Sequence, residues 1–494
     1  MGLIETWTTE QRYLPYDEWD KSYVNELQQV VNQSIWRTHY HIQAPTGLLN
    51  DPNGFSFFNG EWHLFYQFYP MGPVHGIKSW YHLSSTNLVD WTDNGVGLLP
   101  DNQFDSHGAY SGTAVPVGEE LFLFYTGNVR NEEWERSAYQ LGAIMDKQNK
   151  VTKLTKPLIL PNDDYTDHFR DPQVFFYQDK YYLVLGAQDK KLRGKVVTYH
   201  SDDLMNWIFI GELKFTEKDM GFMIECPNLL FSNDQVIFIF CPQGISQDVV
   251  VYDNIFPNTY LLADEFNPEK NELINPTHLK NLDEGFDVYA TQAFNAPDNR
   301  VLGVSWVGLP EIAYPSDKDG WAHVLSLVKE FKIEDGNLIQ RPAEEVYELR
   351  QENKVFESNV VDGKQTLINE IEHCYELNLL FEAGSKGKIT LLADNENQGF
   401  EINFDTKHGT MSVNRENIGE VFAKDYGTQR AFEIDKSDLQ LQVFVDQSVI
   451  EIFINDGKQV VTSRVFPIHQ KGSILVEGNF TVFEGNLWTL RSMK

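Results

Sequence analysis

The chain has 494 residues, with 72 Asp and Glu against 40 Lys and Arg, which gives a formal net charge of −32. Because binding to a phosphate backbone needs a basic surface, this balance argues against a nucleic-acid partner and against an anionic membrane surface. It does not exclude a small anionic substrate, which needs only a local basic pocket. A chain of this length exceeds one ordinary core, so we expect two domains.

Three cysteines, Cys226, Cys241 and Cys374, are too few and too scattered for a disulfide framework. No spacing of Cys or His residues is typical of a metal site, and we expect no metal and no cofactor. The N-terminal residues are acidic and polar and do not resemble a signal peptide, and no run of about 18 apolar residues is present. The sequence therefore favours a cytoplasmic protein with reduced thiols and no membrane partner.

The first predicted element is a helix close to the N-terminus. Within residues 20–34, four apolar residues share one side at helical spacing: Val24, Leu27, Val30 and Val31. We therefore predict an N-terminal helical extension over residues 1–34. From there on, short hydrophobic or aromatic runs alternate with Gly, Asp, Asn and Pro turns, which is typical of an all-β architecture.

Five of these runs recur at intervals of roughly 55 to 65 residues. They lie at residues 62–69, 121–127, 181–187, 236–240 and 301–308. A second repeated motif supports this period, because SSTNLVDW, which ends at Trp91, matches SDDLMNW, which ends at Trp207. Regular repetition of a multi-stranded unit predicts a five-bladed β-propeller over residues 35–345. A β-sandwich would also contain many short strands, but it has no reason to repeat at this period.

A distinctive polar residue precedes each run by a similar number of positions. The five residues are Asp51, Ser111, Asp171, Glu225 and Asp287. Equivalent positions on propeller blades lie at equivalent distances from the axis. If these positions fall on the innermost strands, the five side chains converge on one central cavity.

The chain changes character near residues 345–360, where we predict a polar connecting stretch. Beyond it, LQVFVDQSVIEIFIND at 441–456 alternates apolar and polar residues, as expected for an antiparallel sandwich with one buried face. We therefore predict a separate C-terminal β-sandwich over residues 355–494, without a catalytic cluster of its own.

Three acidic motifs stand out: NDPNG at 50–54, RDP at 170–172 and ECP at 225–227. Taken singly, each is weak. NDPNG is a turn signal, since Asn, Asp, Pro and Gly all favour turns. RDP alone favours a structural ion pair, and ECP alone supports no assignment.

Taken together, the three acids have the chemistry that cleavage of a glycosidic bond requires. Such cleavage passes through a transition state that resembles an oxocarbenium ion. One carboxylate attacks or stabilises the anomeric carbon, and one carboxylic acid protonates the leaving oxygen; retaining enzymes hold the two about 5–5.5 Å apart. Asp51, Asp171 and Glu225 on neighbouring blades can supply that pair and one further carboxylate.

Four segments, PTGLLNDPNGF, FRDPQVF, ECPNL and GFDVYATQAF, occur in the order found in one enzyme family. The chain resembles glycoside hydrolase family 32, the invertases and fructanases, from about residue 35 to the C-terminus. The resemblance includes FVDQSVIEIFINDG in the predicted sandwich. Within the family, QSIWRTHYHIQAPTGLLNDPNG and PVHGIKSWYH are similar to the bacterial branch that acts on sucrose 6-phosphate.

The resemblance implies a five-bladed propeller followed by a β-sandwich, and hydrolysis with retention of configuration. It assigns Asp51 as the nucleophile on C2 of a fructosyl unit, and Glu225 as general acid and then general base. Asp171 becomes the transition-state stabiliser, with Arg170 beside it to orient a carboxylate or tune Glu225. Matching positions imply five fructose-pocket residues: Asn50, Gln67, Ser111, Asp287 and Trp306.

These roles carry electrostatic expectations. Glu225 has to be protonated near neutral pH, so we expect its pKa to be raised by the neighbouring anions Asp51 and Asp171. Asp51 has to stay ionised, and the Asn50 amide and nearby backbone donors help it to do so. Trp306 packs against an apolar sugar face, or else it is an ordinary core residue.

The leaving group is the less certain half of the bond. The leading hypothesis is a retaining β-fructofuranosidase for sucrose 6-phosphate. The alternative is an intracellular β-fructosidase for sucrose and short fructo-oligosaccharides, which the net charge favours. His75 and Lys78 either face the 6-phosphate of the glucose or are exposed loop residues. A non-catalytic sugar-binding propeller would not need all three acids, and the sequence does not predict an oligomeric state.

Overall fold

The computed structural model describes residues 3–494, and for residues 357–361 and 481–484 it describes the backbone alone. Strands dominate this part of the chain, as the all-β prediction requires, and helices are few and short. The helices are α1 (Thr9–Arg12), α2 (Lys21–Val31) and 3-10 turns at Tyr16–Glu18, Pro315–Asp319, Glu344–Leu349 and Lys424–Tyr426. None of the helices in the described residues has the length and apolar character needed to cross a membrane.

The helix predicted near the N-terminus is present as α2, but its buried face differs from the predicted one. Tyr23, Leu27 and Val31 are the buried residues, whereas Val30 is exposed. The Tyr23 hydroxyl donates to the carbonyl of Met71 at 2.9 Å, which fixes the rotation of the helix against the strands. A tyrosine with a polar tip and an apolar ring was therefore missed as a core residue, because the periodicity counted aliphatic side chains only.

The strands up to residue 342 are short and pair mainly with their neighbours in the chain. They are β1 (Gly47–Phe58), β2 (Glu61–Tyr69), β3 (Ser79–Ser85), β4 (Thr92–Leu98), β5 (Ala109–Val117), β6 (Glu120–Arg130), β7 (Arg136–Met145), β8 (Val151–Lys153), β9 (Tyr165–Tyr177), β10 (Lys180–Asp189), β11 (Gly194–Ser201), β12 (Ile208–Glu212), β13 (Met223–Ser232), β14 (Gln235–Gln243), β15 (Thr259–Ala263), β16 (Glu265–Asn267), β17 (Glu272–Ile274), β18 (Lys280–Asn281), β19 (Val288–Asn295), β20 (Val301–Val307), β21 (Trp321–Ala322), β22 (Val324–Leu325), β23 (Lys329–Glu334) and β24 (Asn337–Pro342).

These strands form five larger sheets, each with an antiparallel core, and β16 pairs separately with β17. The five orders are β21-β1-β2-β3-β4, β5-β6-β7-β8, β12-β11-β10-β9, β13-β14-β15-β18 and β19-β20-β23-β24, with β22 beside β20. The five apolar runs of the sequence are β2, β6, β10, β14 and β20, which are the strands that pair with the first long strand of each sheet. The period read from the sequence is therefore one sheet.

The first long strands of the five sheets, which we call the inner strands, contact one another in a circle. The contacts run from β1 to β5, β9, β13 and β19, and β19 returns to contact β1. The motif repeated at Trp91 and Trp207 has the same structure in both places. The Trp91 indole donates to the carbonyl of Leu88, and the Trp207 indole donates to the carbonyl of Leu204. The same turn thus recurs in two of the sheets.

All five inner strands carry a β-bulge at the same point, where two residues face one residue of the second strand. The bulged residues are 50–51, 110–111, 171–172, 226–227 and 290–291. The backbone is left-handed at Asp171, Cys226 and Ala290, with φ of 69°, 49° and 48°. A bulge re-aims the side chains beside it and is common next to active sites. The bulges therefore mark where these strands present their side chains to a shared space.

The strands after residue 349 form one further sheet with a core of its own. They are β25 (Arg350–Glu372), β26 (Cys374–Phe381), β27 (Lys386–Ala393), β28 (Phe400–Asp405), β29 (Thr410–Asn414), β30 (Gln429–Glu433), β31 (Leu439–Asp446), β32 (Val449–Ile454), β33 (Gln459–Arg464) and β34 (Lys471–Leu490). The order is β30-β29-β28-β27-β34-β26-β31-β32-β33, with β25 beside β34. Because β34 pairs with β27 along one half and with β26 along the other, it joins two groups of strands around one apolar core.

The polar stretch predicted to connect two domains is in fact the start of β25. Arg350 opens this strand and lies 4.1 Å from the ring centres of both Tyr347 and Trp488. It also binds Glu376 at 2.7 Å. An edge strand needs apolar residues on one face at most, so its polar composition resembled a linker.

A buried ionic network joins the N-terminal strands to the last sheet. His41 binds Asp446 at 2.9 Å and Glu451 at 3.0 Å, and all three side chains are fully buried. Glu451 also pairs with Lys329 at 3.0 Å. Every charge in the network has a partner of opposite sign, so removal of one partner leaves an uncompensated buried charge.

Candidate active site

A small cavity lies where the five inner strands meet. It is lined by at least one residue of each strand at or beside its bulge, including Pro52, Ser111, Asp171, Cys226 and Ala290. Of the five polar residues predicted to converge, Ser111 and Asp171 line this cavity. Asp51 accepts a hydrogen bond from Ser111, and Glu225 directly precedes the lining residue Cys226.

Asp51 sits in a bulge of β1 and accepts hydrogen bonds from three neutral side chains. Asn50 Nδ2 donates to Oδ1 at 3.0 Å, and Gln67 Nε2 donates to Oδ2 at 3.4 Å. The hydroxyl of Ser111 donates to Oδ2 at short range. Burial raises the pKa of Asp51 and Glu225 adds to the rise, while the bonds from Ser111 and Asn50 oppose it. The expected donor from Asn50 is therefore present, and two further donors help to keep the carboxylate ionised.

Lys78 is buried behind Asp51, so the alternative of an exposed loop residue is wrong. Its Nζ donates to Asn50 Oδ1 at 2.6 Å, and Asn50 Nδ2 in turn donates to Gln67 Oε1 at 3.0 Å. Burial lowers the pKa of Lys78 to about 7, against the pull of Asp51. The ammonium fixes which way the Asn50 amide points, so that its nitrogen faces Asp51. The sequence reading failed here because Lys78 directly precedes a strand in which every residue is buried.

Asp171 occupies the bulge of β9 and is 6% exposed. Its Oδ2 accepts a hydrogen bond from the backbone N–H of Cys226 at 3.0 Å, and its own N–H donates to Thr126 Oγ1 at 3.1 Å. The Cys226 thiol lies 3.7 Å from Asp171 Oδ2 and 3.8 Å from Asp51 Oδ2, so one sulfur touches both carboxylates. Burial raises the pKa of Asp171 to about 7; Glu225 and Asp51 add to the rise, and Arg170 opposes it.

Glu225 is the last paired residue before the bulge of β13, and both of its oxygens are occupied. Arg170 donates to Oε1 from Nε at 3.0 Å and from Nη2 at 2.7 Å. The Tyr289 hydroxyl and Gln243 Nε2 each donate to Oε2 at 2.6 Å. The side chain keeps 17% of its surface exposed, so a substrate can reach it.

The electrostatic expectation for Glu225 is wrong for the unliganded protein. Burial opposes its ionisation, but the charge of Arg170 and the hydrogen bonds from Tyr289 and Arg170 prevail, and they lower its pKa. The pKa that is raised to about 7 belongs to Asp171, where burial is the largest cause and the charges of Glu225 and Asp51 add to it. The reason for this difference is that Arg170 binds Glu225, and the order of the residues in the sequence does not reveal this partner.

The catalytic candidates are staggered along their strands and do not occupy identical positions. Glu225 immediately precedes its bulge, Asp171 is the first bulged residue, and Asp51 is the second. Asp287 lies two residues before Tyr289, which is the residue equivalent to Glu225. The spacing from the apolar run therefore did not identify Tyr289 as the register equivalent of Glu225.

Asp287 is fully buried among residues of the last sheet, and the convergence predicted for it is not seen. Oδ1 accepts from the Tyr314 hydroxyl at 2.8 Å, and Oδ2 accepts from the Arg464 N–H at 2.7 Å and pairs with the Arg415 guanidinium. None of the contacts described for Asp287 reaches the three acids. Its place in the sugar pocket stays a prediction.

Trp306 is 2% exposed and lies opposite Tyr289 in the ladder between β19 and β20. Its ring is edge-on to those of Tyr289, His323 and His75, with centroids 6.0, 5.2 and 6.1 Å away. Its indole Nε1 is buried without a hydrogen-bond partner among the described residues. His75 is exposed, and whether it contacts the 6-phosphate of the glucose stays a prediction. The chain Glu225–Tyr289–Trp306–His75 thus leads from the acid to the surface.

Sequence reasoning missed Tyr289 and Gln243 as partners of Glu225. Both lie in segments that drew attention for other reasons, GFDVYATQAF and CPQG. Tyr289 occupies the position of β19 that Glu225 occupies in β13, so an alignment of the five inner strands by their bulges would have found it. In the described part of the chain, no group of three or more His, Cys, Asp or Glu side chains has an arrangement suited to a metal ion.

Two family models match this chain. The model described as Glycosyl hydrolases family 32 N-terminal domain matches residues 41–342, and the model of the family 32 C terminal matches residues 345–488. This chain belongs to glycosyl hydrolases family 32. The carboxylate cluster is therefore part of a glycoside hydrolase, and family 32 enzymes retain configuration at the anomeric carbon.

Relatives in family 32 extend over nearly the whole chain. A protein named sucrose-6-phosphate hydrolase from Pediococcus pentosaceus is 44% identical over 98% of this chain and 97% of its own, and one of the same name from Streptococcus mutans is 45% identical over 97% and 98%. The solved structure of sucrose-6-phosphate hydrolase from Lactobacillus gasseri superposes with a TM-score of 0.95 at 43% identity, over 99% of this chain and 100% of that one. The β-fructofuranosidase of Bombyx mori has a TM-score of 0.79 at 29% identity, over 96% and 99%.

Proposed function

We propose that this chain hydrolyses sucrose 6-phosphate and releases fructose with retention of configuration. The observation that carries the proposal is the cluster of Asp51, Asp171 and Glu225 at the bulges of three inner strands, in a chain of family 32. Relatives named for this activity are 43–45% identical over nearly the full length. Because a sugar phosphate does not cross a membrane unaided, we place the reaction in the cytoplasm.

We further propose that the five sheets are the blades of a β-propeller and that the last sheet is folded into a β-sandwich. The circle of contacts among the inner strands supports the first statement, and the core shared by the two groups of strands around β34 supports the second. The boundaries that we propose are those expected from the sequence, with an extension over residues 1–34, a propeller over 35–345 and a sandwich over 355–494.

Asp51 is the nucleophile of the proposed reaction. It attacks C2 of the fructosyl unit, and the glycosidic oxygen leaves with a proton from Glu225. Water then attacks the same carbon, Glu225 takes the proton from that water, and Asp51 departs. The donors from Asn50 and Ser111 keep Asp51 anionic and hold it in one orientation.

Glu225 has to receive a proton before the first step. The three acids are close enough to share protons, and Asp171 holds one up to about pH 7. A sugar that enters the site excludes water and strengthens the repulsion among the carboxylates, which favours the protonated form of Glu225. Arg170 keeps Glu225 in position in both protonation states through Oε1.

Asp171 stabilises the transition state by holding ring hydroxyls of the fructosyl unit. Asn50, Gln67 and Ser111 join it on the side of Asp51, as one hydrogen-bonded network with Lys78 behind it. Trp306 contributes an apolar wall near Tyr289. In this proposal Asp287 connects β19 to the last sheet, through its hydrogen bonds with Tyr314 and Arg464.

The test is a side-by-side measurement of kcat/KM for sucrose 6-phosphate, sucrose, kestose and inulin. We expect the highest value for sucrose 6-phosphate. Equal or higher values for sucrose or the fructo-oligosaccharides would contradict the proposed substrate and leave a general β-fructosidase. Absence of hydrolysis on all four would contradict the proposed reaction.

A further inference from the structure

Two arginines at the hairpin between β6 and β7 have no role in the proposed mechanism. Arg130 ends β6 and Arg136 begins β7, and the two residues are directly opposite each other in the ladder between these strands. We call this pair the arginine rim. Like charges directly opposite each other in an antiparallel pair destabilise it. An anion bound between the two guanidinium groups would relieve this repulsion.

The protein neutralises the rim only in part. Arg136 Nε binds Asp167 Oδ2 at 2.9 Å, but the Asp167 side chain is 42% exposed, so the surrounding water weakens the pair. Arg130 forms no ion pair among the described residues. Its Nη1 donates to the carbonyl of Trp134 at 2.8 Å, and its Nε is buried without a partner. This is an unmatched buried donor in a chain with a net charge of −32.

Glutamates are abundant in the hairpin tip between the two arginines, at positions 132, 133 and 135. All three are exposed, and none of them is paired with Arg130 in the described contacts. Glu135 instead accepts from the side chain of Asn131 at 2.8 Å. These glutamates therefore do not neutralise the charge of the arginine rim.

The rim adjoins the carboxylate cluster through Tyr110, the residue before Ser111. Burial raises the pKa of Tyr110 to about 12, and Tyr13 adds to the rise. Three guanidinium groups close to this phenol act in the opposite direction: Arg136, Arg130 and Arg170. Direct contacts place the rim near the arginine that binds Glu225: Arg170 Nη1 lies 2.9 Å from His168 Nδ1, and Arg136 Nε donates to the adjacent Asp167 at 2.9 Å.

Aromatic rings wall the rim on its outer side. The Tyr13 ring lies edge-on to Trp134 with centroids 5.0 Å apart, and both contact His107, at 5.8 and 5.7 Å. The Arg130 guanidinium lies 5.5 Å from the centre of the Trp134 ring, and its backbone N–H donates to His107 Nδ1 at 3.2 Å. Tyr13 follows α1 directly, so the N-terminal extension supplies part of this wall.

The direction from the acid to the rim fits the leaving group. Glu225 protonates the glycosidic oxygen, so the departing glucose lies on its side of the pocket and not on that of Asp51. Arg170 binds Glu225 on that side, and Arg136 of the rim binds Asp167, three residues before Arg170 on β9. A phosphate carries a charge of about −1.5 to −2 and three acceptor oxygens, which suits two guanidinium groups.

We propose that Arg130 and Arg136 bind the 6-phosphate of the glucosyl leaving group. This inference rests on the proposed function, since it names the part of the site that recognises the phosphate. Lys78 is unsuited to that role because it is 3% exposed and bonded to Asn50. Phosphate binding at the rim supplies the anion that the facing arginines lack, and it adds a contact that sucrose cannot make.

The experiment compares the ratio of kcat/KM for sucrose 6-phosphate to that for sucrose in the wild type and in Arg130→Gln and Arg136→Gln. We expect the ratio to fall roughly 10- to 100-fold in each variant, because a charged hydrogen bond to phosphate is lost. The matched control is Arg193→Gln, in the corresponding hairpin of the next sheet, where the arginine pairs with Asp189 at 2.7 Å. This control leaves the ratio unchanged.

Product inhibition gives a second readout that does not depend on turnover of the phosphorylated substrate. With sucrose as substrate, glucose 6-phosphate inhibits the wild type at a lower concentration than glucose does, and Arg130→Gln removes that difference. The proposed role of the rim would be overturned if the wild type prefers sucrose 6-phosphate and both rim variants keep the same ratio of kcat/KM values for the two substrates. Equal losses on both substrates would also overturn it. A wild type without a preference would overturn the proposed substrate, and the rim with it.

Discussion

Arg170 donates two hydrogen bonds to a single carboxylate oxygen of Glu225, from Nε at 3.0 Å and from Nη2 at 2.7 Å. The pair is largely buried, with 11% and 17% of the two side chains exposed. It holds the proposed acid ionised in the free protein, while Asp171 carries the proton of the cluster. The acid–base behaviour of the site therefore belongs to three coupled carboxylates and to Arg170.

The pH profile is the first consequence. Burial raises the pKa of Asp171 to about 7, so the cluster loses its shared proton as the pH rises through about 7. Turnover needs that proton on Glu225, and we expect kcat/KM to decline above about pH 7. At the acid end, kcat/KM falls as Asp51 becomes protonated, at a pH above the ordinary range of an aspartate because burial raises its pKa. Initial rates at low substrate concentration test this, and a constant kcat/KM from about pH 7 to 9 would contradict it.

Replacement of Arg170 by glutamine changes the same profile. The variant removes the cation that lowers the pKa of Glu225 and opposes the rise at Asp171. We expect the alkaline limb of kcat/KM to move up by about 1 to 3 pH units, with a lower maximum because Glu225 loses its positioning bonds. Arg170→Lys is the control, since it keeps the charge and moves the limb less. An unchanged limb in Arg170→Gln would mean that Arg170 does not act through the acid.

Replacement of Lys78 by methionine tests the network behind the nucleophile. The variant keeps an unbranched side chain but removes the ammonium that fixes Asn50. We expect kcat/KM to fall by roughly 10- to 100-fold, which corresponds to about 1.5–3 kcal/mol for a charged hydrogen bond. The acid limb also shifts to higher pH, because Lys78 favours the ionised form of Asp51. Lys195→Met, which removes a surface partner of Glu212, is the matched control. If both variants kept wild-type kcat/KM, the network would have no catalytic role.

The buried network at His41 predicts a pH-dependent stability. Burial disfavours the charged imidazole, but bonds to Asp446 and Glu451 raise the pKa of His41 to about 9. The contribution of the charged His41 to the free energy of unfolding is therefore complete below pH 6.5, which is the pKa in the unfolded chain. It is lost as the pH rises through about 9. Burial opposes ionisation of Glu451, but Lys329 and His41 lower its pKa to about 2, so its contribution is complete above 4.5 and is lost as the pH falls through about 2.

The variant Glu451→Gln leaves Lys329 and His41 without this anion. We expect it to lower the free energy of unfolding by about 3–5 kcal/mol near pH 5.5, and by less near pH 9. Unfolding in denaturant at both pH values measures the difference, with Glu217→Gln as the control at an exposed glutamate. A loss below about 1 kcal/mol at pH 5.5, or a loss that grows toward pH 9, would contradict this account.

The five sheets could be predicted from the sequence because one unit of strands is repeated five times. The apolar runs became the second strands of five sheets, and the polar residues before them fell beside the bulges. Register was the limit of that reasoning, since a bulge adds one residue and the sequence does not mark where it occurs. This is why the spacing did not identify Tyr289 as the residue of β19 equivalent to Glu225.

The site was predictable in its residues and not in its electrostatics. Asp51, Asn50, Gln67 and Ser111, which the family resemblance assigned to one pocket, are joined by hydrogen bonds, and their contacts with the sugar stay predictions. The partner of Arg170 depends on which side of the β9 bulge faces β13, and that is decided by tertiary packing. Lys78 shows the same limit, because a lysine next to a buried strand has no local signal that separates a solvent-facing side chain from one that turns inward.

The most direct test of the central claim is to identify the carboxylate that bonds to the sugar. In Glu225→Gln, a fructosyl donor whose leaving group needs no proton forms the intermediate, and loss of the general base slows its hydrolysis. We expect mass spectrometry of the digested variant to find one fructosyl unit on the peptide that contains Asp51, and no adduct when Asp51→Asn is added. An adduct on Asp171, or release of inverted fructose without any adduct, would contradict the assignment of Asp51 as nucleophile and Glu225 as acid.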